Sequence, residues 1–171
     1  MTLFDARRIL DMTKRNHAAA KRLLSGLPVA CGHAPEIAGL HGWVFEQTVQ
    51  FCLRRELKAK GLQPEFGEQV PLGGRARADL GIGRILVEIK TSGLFDIGSV
   101  EKYRRYRAAA EENGCRYLFL SAHETYKPYR DGIVGALGRE NVFMLTEPRG
   151  WQGFVGTVVK ELRKTGWATI R

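Results

Sequence analysis

Cysteine is scarce in this sequence and long apolar runs are missing, and each shortage removes a class of protein. The three cysteines among 171 residues, Cys31, Cys52 and Cys115, stand far apart, with no CxxC pair and no Cys/His cluster. A disulfide framework or a structural zinc site is therefore not expected, and a reducing cytoplasm suits the chain. The opening Met1-Thr2-Leu3-Phe4-Asp5-Ala6-Arg7-Arg8 is broken by charge too early to form the apolar stretch of a signal peptide, and no other segment runs apolar far enough to cross a bilayer. The expectation is a soluble, cytoplasmic protein with no membrane partner. Repeats, linkers and low-complexity tracts are also missing, so the 171 residues read as one domain, and 44% hydrophobic residues suffice for its core.

Acid is the next shortage. Asp and Glu number 18 against 27 Lys and Arg, a formal charge of +9 that points to a polyanion partner. Charge alone also fits a basic surface that binds nothing in particular. The residues of a site must decide.

From Thr2 to about Ser25, apolar positions alternate with Arg7, Arg8, Lys14, Arg15, Lys21 and Arg22, predicting a basic amphipathic helix ended by Gly26 and Pro28. Its basic face is either solvated or an arm that touches phosphates. After a loop through Cys31-Gly32-His33-Ala34-Pro35, a second helix is expected over Glu36 to Lys60, with Glu46 among its apolar residues and Gly61 as its stop. Strands follow at Phe66 to Val70, Arg75 to Ile82 and Ile85 to Lys90, joined by Pro71-Leu72-Gly73-Gly74 and by a tight turn at Gly81 to Arg84. A crossover helix from Ser99 to Asn113 leads to a buried strand at Tyr117 to Ser121. A short helix around Asp131 to Leu137, a strand at Asn141 to Thr146 and a helix from Phe154 to Lys164 complete the reading, with Gly166 as the last stop and Trp167 to Arg171 unassigned. Strands on both sides of a helical crossover indicate an α/β fold with a mixed central sheet.

In Ile85-Leu86-Val87-Glu88-Ile89-Lys90 strand alternation puts Glu88 and Lys90 on one face, beside Leu86. Two charges there cost stability unless something uses them. Asp79 lies nine positions before Glu88, across the tight turn, where a hairpin brings the two carboxylates nearly opposite each other. A bound Mg²⁺ or Mn²⁺ removes their repulsion, because such hard cations take carboxylate and carbonyl oxygens, and the Ile89 carbonyl is placed to add one. Lys90 beside them can position an attacking water and meet the negative charge of a phosphate. The bland alternative is a solvent-facing hairpin with an ordinary ion pair.

Asp79 followed by Glu88-Ile89-Lys90 on a hairpin resembles the signature of the PD-(D/E)xK nuclease superfamily, which includes restriction endonucleases and Holliday-junction resolvases. Helix, three-stranded meander, crossover helix and further strand, in the order expected here from about Glu36 to Ser121, is similar to that family's core. The resemblance covers about half of the chain, and it rests on the combination, since ExK pairs alone are common. Ala78 stands where the family name has proline, so only the aspartate of that half of the motif is present. The resemblance implies a restriction-endonuclease-like core over residues 36–146, with helical extensions over 1–35 and 147–171. It implies a nuclease for DNA, with Asp79, Glu88, the Ile89 carbonyl and Glu46 at Mg²⁺ or Mn²⁺ and Lys90 at the water. Gly42-Trp43-Val44-Phe45-Glu46 looks like the place where that family's first helix supplies a further carboxylate. A two-fold homodimer is a further expectation of the resemblance.

Arg75 and Arg77, read on the strand face of Asp79, would lie along a bound nucleic-acid strand, as would Lys102 or Arg105 on the crossover helix. Lys127 and Arg130 belong to His123-Glu124-Thr125-Tyr126-Lys127-Pro128-Tyr129-Arg130, an aromatic and cationic loop suited to gripping nucleic acid. Each of these cations also fits a plain solvated surface. Two other functions stay open on sequence: a catalytically silent DNA-binding or partner-recruiting module, and a nuclease directed at RNA.

Overall fold

The computed structural model describes residues 2–25, 39–91, 97–123 and 127–166. Gly26, Pro28, the Cys31–Pro35 loop, residues 36–38 of the expected second helix, residues 124–126 of the cationic loop and the Trp167–Arg171 tail lie outside them. The elements are α1 (Ala6–Ser25), α2 (Leu40–Ala59), β1 (Phe66–Gly73), β2 (Ala76–Ile82), β3 (Ile85–Lys90), α3 (Ile97–Glu112), β4 (Arg116–Ser121), α4 (Lys127–Leu137), β5 (Val142–Met144) and α5 (Gly150–Lys164). The strands form one mixed sheet in the order β1-β2-β3-β4-β5. β1, β2 and β3 pair antiparallel, and β4 joins β3 in parallel after the α3 crossover, with β5 parallel beyond it.

Alternation along β3 divides the interior in two. Ile85, Val87 and Ile89 enter a first core with Phe45, Val49 and Leu53 of α2 and Trp151, Phe154 and Val158 of α5; Phe4 and Ile9 close it from the start of the chain and α1. Leu86, on the opposite face, enters a second core with Val100 and Tyr103 of α3, Ile133 and Leu137 of α4, and Tyr117 and Phe119 of β4. Helices thus cover both faces, as the parallel part of the sheet, β3-β4-β5, requires. The Glu56 side chain is fully buried in the first layer, where Oε1 accepts from the Phe4 amide at 2.9 Å and from Trp151 Nε1 at 3.4 Å. One carboxylate thereby ties α2 to the residues before α1 and to the start of α5.

Several boundaries differ from expectation for identifiable reasons. Pro71-Leu72-Gly73 is strand, not turn, because β1 is an edge strand that can spare a donor and Leu72 is buried. The reversal falls at Gly74 and Arg75, so Arg75 is a turn residue and not on the strand with Asp79. α2 starts at Leu40 after Gly39, whose φ of 87° is left-handed. α4 starts four residues earlier than Asp131, since Pro128 in a first turn gives up no helical hydrogen bond. β5 is shorter than Asn141–Thr146: Asn141 ends a 3-10 turn over Arg139–Asn141 and donates its side-chain amide to the Leu137 carbonyl at 2.7 Å. α5 extends back from Phe154 to Gly150.

Candidate active site

The hydrogen-bonded ladder between β2 and β3 runs from Ile82↔Ile85 to Leu80↔Val87 and ends there, whereas β3 continues along β4 as far as Lys90↔Ser121. Extending the register places Asp79 opposite Glu88, at the mouth of the fork where β2 leaves β3. Peptide groups alternate along a strand. The amide of Ala122 donates to the Lys90 carbonyl at 2.8 Å, so residue 90 turns its peptide groups toward β4 and residue 89 turns its own toward β2. The Ile89 amide finds no β2 carbonyl there. It donates instead to Asp79 Oδ2 at 2.7 Å, and the Ile89 carbonyl opens into the same fork.

Lys90 closes the arrangement. Its ammonium lies 2.6 Å from Glu88 Oε1 and 3.3 Å from Asp79 Oδ2, so one cation already touches both carboxylates. Glu88 is buried at 2% exposure and accepts from the Tyr117 hydroxyl at 3.2 Å, and Tyr103 of α3 also bonds to it. Burial is the largest influence on each of these groups. It raises the Glu88 carboxyl, with Asp79 adding to the rise against the pull of Lys90. It opposes the charge of Lys90, yet Glu88 and Asp79 outweigh it and the ammonium is held more firmly than usual. Both tyrosine hydroxyls are pushed up by burial and by Glu88. Tyr103 and Tyr117 therefore remain neutral donors.

Glu46 reaches this fork from α2. Burial, then the negative charge of Asp79, push its carboxyl up to about 7, with smaller opposing influence from Lys90. Gln47, beside it, donates to Glu68 of β1 at 3.4 Å. Asp79, Glu88 and Lys90 are joined by ion pairs across β2 and β3, and Glu46 on α2 lies near enough for the charges of all three to act on it. Among the described residues no three Asp, Glu, His or Cys side chains form a group able to hold a metal ion. The donors that fit a small divalent cation are the Asp79 and Glu88 oxygens that now share an ammonium, with the Ile89 carbonyl facing the same fork.

The expected cations are spread more widely. Arg77 is exposed and donates to the Gln69 carbonyl at 3.2 Å, while Arg75 is exposed in the β1–β2 turn. Lys102 lies half-buried, its ammonium 5.1 and 5.2 Å from the ring centres of Tyr103 and Tyr106, and its charge lowers the Glu88 carboxyl slightly. Arg105 is exposed on α3 and Lys127 exposed at the start of α4. Arg130 is paired with Glu147, which also holds Arg139 at 2.9 Å. Of these cations, Lys102 acts on the charge of Glu88, and Arg130 is engaged by Glu147.

Three participants have little sequence signal. Tyr117 and Tyr103 read as core aromatics, and only the β3–β4 pairing and the α3 crossover aim their hydroxyls at Glu88. Gln69 stands across the β1–β2 ladder from Asp79 and its amide lies 3.5 Å from Asp79 Oδ1, a relation visible only once that register is known. Two histidines, His17 of α1 and His41 of α2, meet edge to face at 4.9 Å, and His41 is lowered by burial, by His17 and by His123.

No family model, curated protein or solved structure matches this chain. Its own residues carry the reading. Among the described residues no helix is long and apolar enough to cross a membrane.

Proposed function

We propose that this chain is a metal-dependent nuclease that hydrolyses DNA phosphodiester bonds, an endonuclease of PD-(D/E)xK type on a restriction-endonuclease-like core. The observation that carries the reading is the fork itself: one ammonium touching two carboxylates from neighbouring strands, beside a peptide carbonyl without a β2 partner. The order α2, β1-β2-β3, α3, β4 supports it, as does the net charge of +9.

Asp79 and Glu88 with the Ile89 carbonyl are the ligands in this reading, and Glu46 stands behind them. Mg²⁺ or Mn²⁺ bound there supplies Lewis acidity toward the phosphate and its water. With a cation held by those carboxylates, Lys90 would be free to orient the attacking water and to meet the charge that develops on the phosphate oxygens. Tyr117 holds Glu88 Oε2, while Oε1 faces Lys90 in the fork. Arg77, which holds the Gln69 carbonyl, and Lys102, whose charge acts on Glu88, are the expected phosphate contacts in this reading, and a homodimer would supply a second centre for the opposite strand.

One observation favours a second reading. The acidic pair is already bridged by Lys90 and no three-residue metal group forms among the described residues, as a catalytically silent DNA-binding or partner-recruiting module would have it. The deciding experiment incubates purified protein with plasmid, branched and single-stranded DNA, and with structured RNA, in Mg²⁺ or Mn²⁺. Cleavage that falls about 10²–10³-fold in Lys90→Ala supports the nuclease; no cleavage by either protein, or equal cleavage by both, overturns it. Preference for the RNA reassigns the substrate.

A further inference from the structure

Gln69 has a φ of 49°, in the left-handed region that side-chain-bearing residues seldom occupy, within the edge strand β1. It is exposed, so no packing of its own side chain demands this conformation. The pairs Glu68↔Leu80 and Val70↔Ala78 flank it and set it across from Asp79. The hairpin changes cores at this point: Phe66, Leu80 and Ile82 pack with the first core, but Val70, Leu72 and Ala78 pack with the second. Strict alternation would keep Leu80 and Ala78 together. Val70 then folds over the paired glycines Gly67 and Gly81, and a Cβ at Gly81 would lie 2.7 Å from its methyl.

A glycine at 69 would make the same turn without strain. What glutamine adds is its amide, 3.5 Å from Asp79 Oδ1, while Arg77 holds the Gln69 carbonyl at 3.2 Å. The other oxygen of Asp79 is taken by the Ile89 amide and by Lys90. We propose that Gln69 is a positioning residue: its carboxamide fixes the rotation of the Asp79 carboxylate in the fork, and the backbone strain is the cost of placing it there. What Asp79 then binds rests on the nuclease reading; that Gln69 orients it does not.

Gln69→Gly removes strain and amide together, and Gln69→Met keeps the strain and the length but not the donor. The glycine variant is expected to unfold about 2–4 °C higher than the parent, the methionine variant within about 1 °C of it. In both, the Ile89 amide, read by NMR hydrogen exchange, should exchange about tenfold faster because its acceptor is released, while the Val87 amide in the intact ladder does not accelerate. Mn²⁺ binding by calorimetry should weaken about tenfold in both variants. An Ile89 amide that exchanges no faster in either variant, or a glycine variant less stable than the parent, overturns the assignment. Equal Mn²⁺ affinity in all three proteins overturns its functional part. If the parent binds no Mn²⁺, the nuclease reading falls and the Ile89 exchange rates alone decide the role of Gln69.

Discussion

At the scale of single residues, charge in the fork is governed by burial first and neighbours second. Glu46 shows this most clearly: from an ordinary value of 4.5 its carboxyl is pushed up to about 7. A folded state that holds a proton more tightly than the unfolded chain is favoured below the ordinary value and loses that advantage as pH rises toward the folded one. Stability should therefore fall between pH 4.5 and about 7. Because the group is only half-buried, screening reduces the loss to about 1 kcal/mol. Urea unfolding at pH 5 and pH 7.5 checks this against Glu46→Gln, which should lack that fall; identical pH dependence in both proteins would refute it. The site was legible where local geometry dictates it. Alternation alone joins Glu88 to Lys90, and a hairpin turn joins them to Asp79. Tyr103, Tyr117 and Gln69 escaped because their roles depend on register, on a crossover and on one backbone angle, none of which has a local sequence pattern.

At the scale of elements, the termini were harder to read than the elements themselves, and for opposite reasons at different places. Pro71 looks like a turn residue until β1 is known to be an edge, and Pro128 looks like a helix breaker until it is known to stand in a first turn. Strand β3 came through on its strict alternation and β4 on its short apolar run, two patterns that lie within single strands. Gly150 had no such signal, yet it sets where α5 begins. A Cβ there would lie 1.9 Å from the Met144 carbonyl oxygen, backbone that no side-chain rotation can move away. Gly150→Ala should therefore cost about 3 kcal/mol or more, visible as a large drop in unfolding midpoint, whereas Gly156→Ala, with open space around it, should not destabilise. Equal midpoints for the two variants would show that the junction can yield.

At the scale of the molecule, two cores share one sheet, and Glu56 is the polar fastening of the first. Its Oε1 accepts two donors from distant segments, and its Oε2 has no partner among the described residues. Removing the carboxylate orphans a backbone amide and an indole N–H in a dry interior. Glu56→Ala should cost about 2–4 kcal/mol and quicken proteolysis near Phe4, whereas a substitution that merely trimmed surface charge would do neither. Limited digestion followed by mass mapping tests this, and an unchanged cleavage pattern with unchanged stability would refute it.

The same fastening has a consequence for synthesis. Phe4 precedes Glu56 by 52 residues, and Trp151 follows it by 95. On the ribosome α2 emerges well before α5, the helix that packs over its apolar face. That cover follows α2 by some ninety residues. Until Trp151 leaves the exit tunnel, the nascent chain carries an open greasy seam and a carboxylate without one of its donors, so the first layer closes only once α5 has emerged and not as α2 is made.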